Sequence, residues 1–276
     1  MGGVHVVDGF DVTERAMDGR GQVLAPWPNR IADGRYRYHG RDLEAPLTEP
    51  ARRNAIHGLA RWSDWTLVDH TSSTVMLSCA VRPQPGYEWA LRLQVGYRLD
   101  DEGLTVELTA VNTGAERAPF GAGFHPYLRL GRHRVDDLDL TVPATHRVLT
   151  GDTGGSVAEP VTGTGWDFST SRRVGDLALD TAYGGLVRGA DGRAVAVLAD
   201  PEGSQAVRLW VDEAFRYLMV YTADEVHSPE RRRMAVAVEP MTCPPQAFRT
   251  GTDVLELAPD ESWTGRWGLV PAVNGA

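Results

Sequence analysis

The chain has 276 residues, 42% hydrophobic and 24% charged, enough to bury a sizeable core and ordinary for a globular protein. Its formal net charge of −9 argues against nonspecific binding to nucleic acid or anionic membrane, and no run approaches the ~18 apolar residues of a membrane-spanning helix. Two cysteines, Cys79 and Cys243, are too few for a disulfide framework or a metal knuckle.

The N-terminus, Met1-Gly2-Gly3-Val4-His5, has no basic segment followed by an apolar stretch, so no secretory leader is expected and a cytoplasmic protein is the default. No lysine occurs; every basic side chain besides histidine is arginine. Cys79 sits in the run 75–81 and reads as a small buried apolar group. Residues 90–99 alternate apolar and polar, an acidic turn Asp100-Asp101-Glu102-Gly103 follows, and 104–110 alternates again, which predicts a β-hairpin. Similar runs predict strands at 138–142, 194–199, 207–211, 218–221 and 234–238, separated by turns such as Asp191-Gly192 and Pro201-Glu202-Gly203. The Gly-, Thr- and Ser-rich stretch 150–175 reads as a long loop. Arg231-Arg232-Arg233 reads as a solvated loop between strands. No stretch carries a helical stripe and no linker or repeat divides the chain, so the expected class is all-β, one domain over 1–276, a sandwich or closed antiparallel arrangement.

The chain lacks a phosphate-binding GxxxxGK[ST], a zinc HExxH, a calcium loop and a GxSxG nucleophile elbow. Gly121-Ala122-Gly123 runs into Phe124 and His125 and is no dinucleotide fingerprint. What remains is a histidine and a carboxylate, each beside a proline, in Gly123-Phe124-His125-Pro126-Tyr127 and Val238-Glu239-Pro240-Met241-Thr242. Such a pair can hold an acid and a base ready near neutral pH. Each residue also has a plainer reading. Glu239 could be a salt-bridged strand-end group, and His125 a structural residue between Phe124 and Pro126. His57 could be a satisfied core histidine.

Five motifs carry a resemblance: Pro26-Trp27-Pro28-Asn29-Arg30-Ile31, Asn54-Ala55-Ile56-His57-Gly58-Leu59, Phe124-His125-Pro126-Tyr127, Leu179-Asp180-Thr181-Ala182-Tyr183 and Val238-Glu239-Pro240-Met241-Thr242. Together, and in this order, they resemble the aldose 1-epimerase (galactose mutarotase) family across nearly the whole chain. The resemblance implies a large antiparallel β-sandwich that interconverts the α and β anomers of a free hexose such as glucose or galactose. It implies Glu239 as the base at the C1 hydroxyl, His125 as the acid at the ring oxygen, and His57 as a second histidine near that oxygen. It implies Arg30 and Asp180 as hydrogen-bonding partners of sugar hydroxyls. Arg30 could instead brace the turn after Pro28, and Asp176 and Asp212 are alternatives to Asp180. Family members carry further strands before the Pro-Trp-Pro-Asn-Arg motif, so a sandwich lacking the first N-terminal strands is expected.

The expected chemistry is acid–base ring opening, with a carboxylate beside a cationic imidazole, each favouring the other's charged form. No metal, nicotinamide or other cofactor is expected. The expected partner is a small-molecule sugar, with no nucleic acid and no membrane, on a monomer or homodimer. A hexose 6-phosphate substrate would call for an arginine cluster such as Arg52-Arg53 or Arg231-Arg232-Arg233 at the rim. A non-catalytic sugar binder on the same fold is the third reading. Trp27, Trp62 and Trp65 are candidates for an aromatic face against the sugar, with core packing as the alternative.

Overall fold

The computed structural model describes residues 5–150 and 155–273. Among them, the strands form two large antiparallel sheets, of eight and nine strands, with three two-stranded pairs beside them. The class is all-β, and the lone α-helix among the described residues is the short Ala247–Thr250.

The predicted hairpin forms between strands Leu91–Asp100 and Gly103–Asn112, with Asp100 paired to Gly103 across the turn. Period-two alternation explains it: Leu91, Leu93 and Val95 face inward with Val106, Leu108 and Ala110, while the intervening residues face out. The strands Ala194–Ala199, Gln205–Val211 and Tyr217–Tyr221 also fall on predicted runs. The predicted strand at 234–238 begins later, as Val236–Met241, because Arg233 takes a left-handed turn with φ of 56°.

The two sheets bury one another's inner faces. Val95, Leu108 and Leu209 of the nine-stranded sheet share an apolar cluster with Tyr183, Leu218 and Val238 of the eight-stranded sheet. This arrangement is a β-sandwich.

The stretch 150–175 is not one long loop. Strand Ser156–Pro160 pairs along Ala144–Thr150 at the edge of the eight-stranded sheet, and Arg172–Arg173 pairs with Asp139–Thr141 at the edge of the other. An edge strand exposed to water needs no continuous apolar stripe, so its pattern is weak; Val157 is 65% exposed. The residues 151–154 within that stretch lie outside the described residues.

Arg231 and Arg233 do not form a solvated cluster. Arg231 bonds the Gly9 carbonyl and pairs with Asp8, and Arg233 pairs with Asp136 and Asp224. Cys79 and Cys243 are buried free thiols. Burial pushes the Cys243 thiol up to about 12, which leaves it inert.

Candidate active site

Strand register brings His125 and Glu239 together. Val236–Met241 pairs antiparallel with two short strands, Gly123–Phe124 and Tyr127–Leu128. Gly123 lies opposite Met241, and Tyr127 opposite Ala237. The same register continued across the interruption sets His125 opposite Glu239, and opposed residues project to one face. Pro126 supplies no N–H to the ladder, and its carbonyl accepts from Val238 N–H at 3.2 Å.

The neighbouring strands extend this face. Met219 lies opposite Glu239, and Asp180 lies opposite Tyr221, which lies opposite Ala237. The two rows are two residues apart, so Asp180 and Glu239 share a face, while Leu218, Val220 and Val238 point into the sandwich core. The site therefore sits on the outer face of the eight-stranded sheet, backed by the core.

A two-stranded unit covers this face. Strands Arg30–Ala32 and Asn54–Ile56 pair with Arg30 opposite Ile56. Both chains turn at the residues that reach the site: Asn29 and His57 have φ of 52° and 63°. The His57 N–H donates to Asn29 O at 2.8 Å, and the Asn29 N–H donates to His57 Nδ1 at 3.2 Å. His57 Nδ1 thus accepts, which leaves the proton of the neutral ring on Nε2. Gly58 has φ of +66°, and a Cβ there would lie 2.2 Å from the Ala25 carbonyl oxygen, so the turn after His57 requires glycine.

Arg30, His57, His125, Asp180 and Glu239 all line one cavity of about 640 Å³, a volume within the range of small-molecule sites. His125 Nε2 lies 3.3 Å from Glu239 Oε1, with both side chains almost fully buried. The His125 ring stacks on Tyr127 at 4.9 Å and meets the His57 ring edge-on at 5.3 Å. Gly19 seats it from the other side: a Cβ at Gly19 would lie 2.4 Å from His125 Cδ2. Arg30 is held by both Glu49 oxygens, at 2.9 and 3.1 Å, and its Nη1 reaches Asp180 Oδ2 at 3.5 Å. Arg30 both braces and lines the site. Asp212 accepts from the Arg266 and Ala214 N–H groups, and neither it nor Asp176 lines the cavity.

Burial dominates the electrostatics. It pushes Glu239 well above the ordinary glutamate value, and Asp180 adds to the effect while Arg30 opposes it. Burial lowers His125 to about 3, helped by Arg20, and lowers His57 well below its ordinary value, helped by His125. The expectation of a carboxylate sustained by a cationic imidazole is therefore corrected: burial is the largest influence on both groups and acts toward their neutral forms. His125 Nδ1 and Glu239 Oε2 are buried without a partner among the described residues. Such atoms are costly in a core and normal where a polar ligand supplies the bond.

His57, His125 and Glu239 also offer three donor atoms within 4.8 Å of one another, a set that could hold a metal ion. Sequence spacing does not display it, because the three positions are far apart along the chain. Three other site residues carried no sequence signal of their own: Gly19, Glu49 and Arg61. Only the partner each one touches explains it. Of the three candidate tryptophans, Trp27 is buried in the core and Trp65 packs against it; Trp62, 49% exposed, lines the cavity.

A model of the family described as aldose 1-epimerase matches residues 2–269. The chain belongs to the aldose 1-epimerase family. It is 32% identical over 257 residues to the uncharacterised protein YihR of Escherichia coli K12, covering 92% of this chain and 80% of that one. Among solved structures it resembles a GalM/aldose epimerase homologue from C. elegans, with a TM-score of 0.83 at 16% identity over 98% of this chain and 88% of the other. It also resembles a galactose mutarotase-like protein from Clostridium acetobutylicum, with a TM-score of 0.73 at 19% identity over 91% and 79% of the two chains. At these identities the two structures establish the fold.

Proposed function

We propose that this protein is a mutarotase, opening and reclosing the ring of a free aldose at the cleft formed by Glu239, His125 and His57. The observation that carries the reading is a buried carboxyl and a buried imidazole 3.3 Å apart on the wall of a cavity of sugar size.

Ring opening takes a proton from the C1 hydroxyl and gives one to the ring oxygen. With Glu239 as base and His125 as acid, the step begins from carboxylate and imidazolium and ends with a carboxylic acid and a neutral imidazole. Burial pushes both groups toward that end state. The site is thus poised for the open-chain aldehyde, the high-energy species of the reaction, and proton return drives closure on either face. The starting state is reached by moving the proton across the Glu239–His125 contact, and Arg30 opposes the upward push on Glu239. Rotation about C1–C2 in the open form exchanges the faces. Each proton-transfer group contributes roughly 10²–10⁴-fold. His57, fixed by Asn29 with its proton on Nε2, supplies a neutral donor to the ring-oxygen side. Arg30 and Asp180 bind hydroxyls at the mouth of the cleft.

No helix among the described residues is long and apolar enough to cross a membrane. Polarimetry on freshly dissolved α-D-glucose and α-D-galactose tests the reading: accelerated approach to equilibrium rotation supports it, and sugar binding without acceleration favours a non-catalytic binder.

A further inference from the structure

The charges around the cleft do not cancel evenly. Of its carboxylates, Glu49 and Asp180 face Arg30, Glu225 faces Arg52, Asp224 faces Arg233 and Asp18 faces Arg20. Glu239 faces His125. Two cavity-lining guanidinium groups have no such partner: among the described residues no carboxylate pairs with Arg15 or Arg61. Both lean on one ring, with Arg15 Cζ 4.9 Å and Arg61 Cζ 5.3 Å from the Trp62 centroid. Arg61 Nε is buried with no hydrogen-bond partner among the described residues. The opposite charge it feels most directly is Glu49, whose two oxygens are both taken by Arg30.

Two like charges held against one ring, one of them half-buried, are unfavourable without an anion nearby. Burial lowers Arg61 below its ordinary value and Arg15 lowers it further. The backbone does not let Arg61 escape. It lies in the single 3₁₀ turn Ala60–Trp62, four residues after His57, and its carbonyl accepts from Gln22 Nε2 at 3.0 Å. By contrast, the arginines that the sequence offered for a phosphate are already paired with carboxylates. Arg52 and Arg53 pair with Glu225 and Asp33, Arg231 with Asp8, and Arg233 with Asp136 and Asp224.

The position of Arg61 names the part of the sugar it faces. Gln22 ties it to His125, donating from Nε2 to the Arg61 carbonyl at 3.0 Å while its own carbonyl accepts from the His125 N–H at 3.2 Å, and Arg61 follows His57 by four residues, so it stands on the histidine side of the cleft. On the mutarotase reading that side holds the ring oxygen. The ring oxygen is bonded to C5, and C5 carries C6. A substituent on C6 therefore points toward the Arg15–Trp62–Arg61 wall, where planar guanidinium groups can grip an oxyanion through paired hydrogen bonds.

We propose that Arg61 and Arg15, braced on Trp62, form a subsite for an anionic group at C6, so that the substrate is an acidic aldose rather than a neutral hexose. This rests on the mutarotase reading for its orientation.

The test measures binding and turnover in the same samples. Isothermal titration compares glucose with glucose 6-phosphate, glucose 6-sulfate and glucuronate on the wild type, Arg61→Gln and Arg15→Gln. At least one acidic sugar should bind about tenfold or more tighter than glucose, the gain expected of charge-assisted hydrogen bonds. Added salt should shrink that preference. Arg61→Gln should remove most of it and Arg15→Gln part of it; which sugar wins separates a phosphate, a sulfate-type and a carboxylate partner. No preference for any acidic sugar, or a preference that survives both substitutions, overturns the subsite. Arg15 is exposed, so its variant keeps the test open should Arg61→Gln not fold. Anomer exchange by NMR separates the two claims. Arg61-dependent binding without exchange sinks the mutarotase reading and keeps the subsite; exchange of glucose with no acidic preference does the reverse.

Discussion

His125 Nε2 stands 3.3 Å from Glu239 Oε1, and the two residues occupy opposed positions of one interrupted strand ladder. The contact is thus fixed by backbone register rather than by long, mobile side chains. Burial raises the carboxyl and lowers the imidazole, which favours the neutral form of each.

Glu239→Gln keeps the shape of the side chain and removes its proton chemistry. Turnover should fall by ~10²-fold or more. The same change should stabilise the fold in a pH-dependent way. An acid whose folded pKa is raised stays protonated while the unfolded chain would ionise. Folding of the wild type is therefore penalised increasingly as pH rises from the ordinary glutamate range of about 4.3 toward the folded value. The Tm difference between variant and wild type, measured by calorimetry, should grow from pH 5 to pH 8; a flat difference contradicts the raised Glu239.

The pH profile of kcat/KM should show a broad plateau. Its acidic limb belongs to His125, which gains a proton only near pH 3, and its alkaline limb to Glu239, which ionises well above its usual range. Unperturbed values would assign the limbs the other way round. Glu239→Gln residual activity should lack the alkaline limb, and His125→Asn residual activity the acidic one. The two are read as a coupled pair, so the limbs report the dyad.

How much of this was legible in the sequence differs by element. The inner strands announced themselves, because Leu91, Leu93 and Val95 alternate with polar residues under a buried sheet. The edge strand Ser156–Pro160 did not, since one face needs no apolar stripe. The five motif residues were readable through a family resemblance, and the structure sets all five around one cavity. Their protonation was not, because burial is a property of the folded sheet pair and not of a motif. Glu49 and Gly19 were invisible for a similar reason. Each acts on a residue far along the chain, Arg30 or His125.

Gly19→Ala should cost activity more than stability. Its φ is +74° and a Cβ would lie 2.4 Å from His125 Cδ2, so the ring must leave its present place beside Glu239. A shift of about 1 Å can cost ~10² in rate, whereas the left-handed backbone costs only roughly 1–2 kcal/mol. Paired measurements of kcat and Tm check this; unchanged kcat would show that Gly19 does not seat the ring.

Dialysis against a chelator should leave turnover unchanged, because the proposed steps are proton transfers. Added zinc should inhibit, since His57, His125 and Glu239 present a buried nitrogen–nitrogen–oxygen set. Sugar should protect against that inhibition. Activity that disappears on chelation and returns with a divalent ion would replace the acid–base account with a metal-assisted one.

The most direct test is saturation transfer between the α and β anomeric protons of glucose, galactose and glucose 6-phosphate at equilibrium, with wild type and Glu239→Gln. The account predicts exchange that rises in proportion to wild-type protein for at least one of these sugars and stays at the buffer rate with Glu239→Gln. Exchange at the buffer rate for all three sugars with wild type, or equal acceleration by Glu239→Gln, would contradict it.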